Sequence, residues 1–301
     1  MNLTRFAKYA WGTLVYNVAV VVWGAYVRAT GSGAGCGKHW PSCQGAVIPR
    51  APRIETLVEF SHRLSSGLAL LAVIGLLVWA FRAHAGRHPA RRGAVFSMVF
   101  MITEAAVGAG LVLFELVAYN TSLARAIVGA VHLLNTFLLL ASLALTAWWA
   151  SGGRPVQWRG GGGIRRALAI ALLGVLLLGM TGAITALGDT IFPSGSLAEG
   201  IAQDVSPASH FLVRLRVWHP VLAALVGLYT VVLAGFLSGG QAGSTARQLA
   251  QFLFIAVLAQ LGAGVINLML LAPVAMQLIH LLLADVVWIV LVLASAAILS
   301  K

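Results

Sequence analysis

The sequence predicts an all-α polytopic membrane protein: eight transmembrane helices, arranged as two tandem four-helix bundles related by a pseudo-two-fold axis along the membrane normal. Three observations carry this. The 301 residues are 60% hydrophobic and only 9% charged, against about 25% charged in a soluble domain. Apolar runs of about 20 residues, enough to cross a bilayer, recur along the chain. Segments of the first half return in the second, in the same order.

The spans are expected at 9–29, 56–81, 93–117, 123–149, 165–187, 211–236, 248–271 and 275–299. A secretory signal would have a shorter core than the first run and a small-residue cleavage site, so span one is expected to be retained. Gly, Pro and charged residues separate the runs. The strongest interruption is the Gly-rich "SGGRPVQWRGGGGIRR", a flexible linker. It divides the chain into units 1–150 and 167–301, with 151–166 between them. Four pairs support the repeat: "GAYVRATGSG" with "GAITALGDT", "HRLSSGLALLAVIGLLV" with "HPVLAALVGLYTVVLAG", "GAGLVLFEL" with "GAGVINLML", and "VHLLNTFLLL" with "IHLLLADVVW". Units with an even number of spans insert in the same sense, so an axis along the normal relates them rather than an inversion.

The net charge of +12 does not indicate nucleic acid, because the charges are few and lie between apolar runs. In such a chain they set orientation. Arg5, Lys8, Arg82, Arg87, Arg91, Arg92, Arg154, Arg159, Arg165, Arg166, Arg247 and Lys301 fall on one side, twelve against eight on the other. Both termini are therefore expected in the cytoplasm. The first loop then faces an oxidising compartment, where Cys36 and Cys43 of "CGKHWPSC" can close a disulfide contributing about 2.5 kcal/mol of loop-closure entropy. Two free thiols, or a pair that cycles, are the alternatives. The Cys-x6-Cys spacing fits no standard zinc site.

Of eight histidines, His62, His132, His219 and His280 lie one in each even span, at similar depth toward the outer face. One intramembrane histidine is as well explained by an interhelical hydrogen bond as by function. Four, a pair per repeat, point to function. Two imidazoles on facing helices can grip a metal. Glu59 and His62 have the spacing of a bundle di-iron site, but that site needs a glutamate from four helices. Glu104 and Glu115 are the only other glutamates within spans. Zinc or copper would want more ligands. Haem supplies four nitrogens itself and accepts axial histidines. Arg28, Arg63, Arg125, Arg214 and Arg216 lie at the same depth and suit its propionates, or simply snorkel. Gly108, Gly110, Gly262 and Gly264 are expected to serve helix packing. Asp285 is expected to serve packing or a polar contact.

These residues carry a resemblance. Eight spans in two repeats, a histidine in each even span, "GSGAGCGKHWPSC" after span one, "EFSHR" opening span two and "HLLN" in span four resemble the haem A synthase family over essentially the whole chain. The resemblance implies a cytochrome oxidase assembly enzyme of the bacterial cell membrane. Such an enzyme binds haem b permanently in one unit and receives haem O as substrate in the other. A porphyrin methyl is oxidised to formyl through two hydroxylations, and the product serves terminal oxidases. Haem O synthase, oxidase assembly factors, membrane lipid and a second copy of the chain are the partners this implies. Only the first unit has a carboxylate one turn before its histidine and a cysteine pair at its mouth. In the second, Pro220 follows His219 and is expected to kink span six. Catalysis is therefore assigned to Glu59, His62 and His132, and the stable haem to His219 and His280. Glu59 would relay protons or stabilise developing positive charge, or else pair with Arg63. Iron with two axial histidines suits electron transfer, so either one histidine leaves during turnover or the oxidation is outer-sphere. A di-haem electron-transfer cytochrome and a non-enzymatic haem carrier are the rival readings.

Overall fold

The computed structural model describes residues 3–50, 52–157, 162–239 and 243–300. Arg159 and Lys301, two charges used for orientation, lie outside the described residues, as does part of the linker, 158–161. The described residues are largely helical, and among them eight helical segments are long and apolar enough to cross a membrane. They are α1 (Arg5–Ala29), α2 (Ile54–Ala83), α3 (Pro89–Leu113), α4 (Leu123–Ala150) and α5 (Gly162–Ile191). Beyond a short helix α6 (Leu197–Val205) come α7 (Phe211–Leu215) and α8 (Trp218–Gly239), which together make the sixth span. α9 (Ser244–Met269) and α10 (Val274–Leu299) complete the set.

Local chemistry sets the ends. The Thr4 and Ser122 hydroxyls accept from the Ala7 and Arg125 amides, satisfying donors that the first turns of α1 and α4 leave open. His88 caps α3 through its own ring nitrogen, and Pro89 takes the first helical position, where no amide hydrogen is needed.

Three differences from the expected spans have physical causes. Span three stops at Leu113 rather than 117, because Glu115 turns left-handed at φ 55° and the Leu116 amide closes back on the Leu111 carbonyl at 2.8 Å. Glu115 thus lies outside the span and exposed. α9 ends the same way: Leu271 has φ 61° and the Ala272 amide reaches the Asn267 carbonyl at 2.8 Å. Second, span six is broken rather than merely kinked. It restarts at Trp218, so Pro220 sits in a first turn, where its missing N–H is tolerated. Third, α6 has no counterpart among the expected elements.

In the first half α1, α2, α3 and α4 neighbour one another in a closed ring, and in the second α5, α8, α9 and α10 do the same. The halves meet along α4 and α10. α10 is the central helix, with 61% of its apolar window buried against 17% for α3 and α5. There the Trp288 indole N–H donates to the Phe137 carbonyl at 2.6 Å, and the two rings stack 5.4 Å apart. Phe137 also lies on Gly179 of α5, where a Cβ would meet the ring at 2.9 Å. Asp285, also on α10, is fully buried, and neither carboxyl oxygen has a hydrogen-bond partner among the described residues.

The two ends of the bundle differ. At one, the Trp11 indole N–H reaches the Ser151 hydroxyl and the Gln157 amide reaches the Leu299 carbonyl. This is the terminal end. At the other lie the cysteine loop, α6 and the starts of the even spans, the disulfide end.

Candidate functional site

The four span histidines all fall within the first ten residues of an even span, counting span six from Phe211. They therefore share one level, near the disulfide end. Each ring lies against a glycine of the preceding odd span. A Cβ on Gly24 would come within 2.8 Å of His62 Cε1, on Gly182 within 3.0 Å of His219, on Gly264 within 3.1 Å of His280, and on Gly108 within 3.8 Å of His132. Packing, the role expected of Gly108 and Gly264, is here packing against the imidazoles. Gly24 and Gly182 belong to the same set.

The pairs form within the halves. His219 and His280 stand 6.3 Å apart between ring centres and perpendicular. His62 on α2 and His132 on α4 lie in the first half, each against its own glycine, Gly24 and Gly108. The Thr181 hydroxyl donates to the Leu178 carbonyl and so accepts from His219 Nδ1 at 3.2 Å. That fixes the tautomer and leaves Nε2 with its lone pair. His280 Nε2 lies 3.3 Å from the Gln260 amide nitrogen. The Nδ1 atoms of His62, His132 and His280 are buried without a hydrogen-bond partner.

Glu59 and Arg63 hold the cysteine loop. Cys36 and Cys43 are joined by a disulfide. The Cys36 amide donates to Glu59 Oε2 at 2.7 Å, and Glu59 Oε1 pairs with Arg63. The Arg63 guanidinium also donates to the carbonyls of His39, at 2.5 Å, and Ser42, at 2.6 Å. Thr56 adds a bond to the Gly35 carbonyl at 2.8 Å. Gly35 lies so close to the Glu55 and Thr56 backbone that no side chain fits. Buried Glu59 thus sits between the loop and α2.

Of the other arginines, Arg28 reaches out of its own half, to the Ala186 carbonyl, the Thr190 hydroxyl and the Gln277 carboxamide. Arg125 donates to the Ala118 carbonyl. Arg216 pairs with Asp189 at 3.2 Å and Asp204 at 2.9 Å, closing α6 onto the break in span six. Arg214 is exposed in the last turn of α7.

Two further groups are not apparent from sequence. Glu104 on α3 accepts from Asn135 Nδ2 and from the Thr136 hydroxyl, both at 2.5 Å, and its Oε1 lies 3.5 Å from His132 Nδ1. A largely apolar cavity of about 220 Å³ opens beside His219, lined by Thr181, Ile184, Leu215, Trp218 and Leu222.

The residues fit a haem. Two imidazoles sharing one metal, each nitrogen about 2 Å from it, stand roughly 6 Å apart between ring centres, as His219 and His280 do. Orphan ring nitrogens buried in a membrane bundle need a partner. Among the described residues no three His, Cys, Asp or Glu side chains gather where a bare ion would bind. A metal gripped by one histidine pair must bring further ligands, as haem iron does.

Residues 7–292 match the family model described as cytochrome oxidase assembly protein. A protoheme IX farnesyltransferase of Thermus thermophilus is 56% identical over 299 residues, which is 99% of this chain and 49% of that protein. The chain thus spans about half the length of that relative. The heme A synthase of Exiguobacterium sibiricum is 29% identical over 70% of this chain and 68% of its own length, and that of Halalkalibacterium halodurans 43% identical over 34% of each. With nearly its whole length covered by the family model, this chain belongs to the cytochrome oxidase assembly family of the haem A synthases.

Proposed function

We propose that the chain oxidises a methyl group of haem O to a formyl group, producing haem A for terminal oxidases. The observation that carries this is the pair of histidines in each half, at one depth, with rings seated over glycine. The first pair, His62 and His132, receives haem O, and the second, His219 and His280, holds haem b. The bound haem b supplies electron transfer. The remaining roles belong to the chain. Thr181 orients His219, and apolar walls around the second pair exclude water. Glu59, through Arg63 and the Cys36 amide, holds the disulfide loop at the start of α2. A proton relay through Glu59 requires the Arg63 pair to open. Of the arginines expected to meet propionates, Arg214 is the exposed one, while Arg28, Arg63, Arg125 and Arg216 would have to exchange a protein partner for the carboxylate. The two units are related by a pseudo-two-fold axis along the normal of the bacterial cell membrane, with both termini cytoplasmic.

The name of the Thermus relative favours a second reading, prenyl transfer. Transfer from a diphosphate uses carboxylates gathered on a divalent cation. This chain has three aspartates. Asp189 and Asp204 are held by Arg216, and Asp285 is buried in α10. We assign prenyl transfer to the half of the Thermus protein that this chain does not match.

Expression in a host that makes haem O, followed by pigment extraction, tests the assignment. Formyl porphyrin should appear with the wild-type chain. It should vanish in His132→Ala while haem b is retained. Recovery of haem b alone from the wild type would instead identify a cytochrome or carrier, and haem O appearing in a host that makes none would identify a transferase.

A further inference from the structure

The two histidine pairs differ in one feature that follows from the helix register. α3 and α9 close with the same turn, at Phe114 and Leu270, and carry Gly108 and Gly264 under His132 and His280. In that register Glu104 and Gln260 are equivalent: each lies four residues before its glycine and beside the histidine of the next span. The surroundings change with them. Glu104 receives two donors from α4, Asn135 and Thr136, three and four residues beyond His132. The positions three and four beyond His280 are Leu283 and Ala284, which offer no side-chain donor. A carboxylate with both oxygens supported stands in one half, and a neutral amide in the other.

We propose that Glu104 is the positioning residue of the first pair. It accepts the Nδ1–H of His132, holds Nε2 toward the porphyrin, and makes this imidazole the more electron-donating ligand of the four. His132 Nδ1 has no other partner, and the 3.5 Å to Glu104 Oε1 is a separation that a small ring rotation closes when a ligand binds. A carboxylate on the outer nitrogen of a ligating imidazole raises its basicity and fixes its tautomer. Gln260 contacts the other ring nitrogen of His280 and carries no charge, so the second pair lacks this effect. The two sites are thereby poised at different potentials by their protein partners. Glu59 cannot take this part while its oxygens are engaged by Arg63 and the Cys36 amide. The inference rests on the haem reading above.

The test is a redox titration of the full-length, haem-loaded protein, read alongside its optical and EPR spectra. The component lost in His132→Ala marks the first pair. In Glu104→Gln that component should lose about tenfold in preference for ferric over ferrous iron, an upward move of about 59 mV, and its haem affinity should fall roughly 10- to 100-fold. The second component stays in place. Thr136→Val, which removes a donor from the carboxylate oxygen nearest His132 and keeps the shape, should move the same component the opposite way by less, because that oxygen is then freer to accept from Nδ1. The proposal is overturned if the first component does not move in either variant, or if both components move together. If His132→Ala removes no haem component, the haem reading itself falls and this inference falls with it.

Discussion

Removing the Arg63 guanidinium should unfasten more than one ion pair. Glu59 would be left buried with the Cys36 amide as its remaining partner, and two loop carbonyls would lose their donor. A buried carboxylate that loses its cation costs about 3 kcal/mol. Arg63→Ala should therefore lower thermal stability more than Glu59→Gln, and the double variant should recover part of the loss, since the stranded charge is then gone. A double-mutant cycle of unfolding midpoints in detergent measures this, and strict additivity would show that the pair is not coupled. Asp285 makes the opposite case. Its carboxyl is fully buried with no hydrogen-bond partner among the described residues, and burying an unpaired polar group costs about 1–3 kcal/mol. Asp285→Leu should raise the unfolding midpoint. A fall would mean that the carboxyl meets a partner in the working protein.

Along the helices, the glycine seats make a graded prediction. Alanine at Gly24 would press a methyl to 2.8 Å from His62, whereas at Gly108 it would rest at an ordinary 3.8 Å from His132. Gly24→Ala should displace the imidazole and reduce haem retention at the first pair, and Gly108→Ala should leave it nearly unchanged. Haem content per protein, from pyridine haemochrome spectra, checks both. The same helices show which signals sequence carries. Long apolar runs place the spans, because a bilayer demands them. They do not reveal where α3 stops, since Phe114 and Leu116 are apolar and the turn lies in the backbone angle of Glu115. Nor do they reveal α6, whose nine residues are too few to read as a span. The sequence match that suggests a repeat does not fix the register of α3 against α9. "GAGLVLFEL" and "GAGVINLML" align glycine on glycine, Gly108 with Gly262, whereas the matching helix closures and the imidazole contacts pair Gly108 with Gly264. Two glycines two residues apart let an identity match slide by two. That slip hid the equivalence of Glu104 and Gln260. The histidines were legible because one ionisable residue per even span is expensive in a membrane. The partners of Glu59 were only half so: Arg63 is one helical turn away, but the Cys36 amide comes from a loop 23 residues earlier.

Across the whole molecule, the two halves are locked by contacts that no single unit contains. Trp288 donates into the backbone of α4 beside Phe137. Phe137 presses on Gly179 of α5, and Arg28 of α1 ties to both α5 and α10. The buried apolar core runs through Phe137 and Trp288, with α4 and α10 supplying much of it. The described start of the linker adds two contacts of its own, Trp11 to the Ser151 hydroxyl and the Gln157 amide to the Leu299 carbonyl, and a tether otherwise raises the effective concentration of the pieces it joins. Cutting the chain there and co-expressing the two pieces should therefore return a complex that co-purifies through a tag on one of them. Arg28→Ala in that split protein removes three interfacial hydrogen bonds from a partly buried cation, and should lower recovery of the untagged piece. In the uncut chain the same change should be masked by the tether. Equal loss of stability in both forms would place the weight of Arg28 within α1 rather than between the halves. Failure of the wild-type pieces to associate would mean that α4 and α10 pack only when the linker delivers them together.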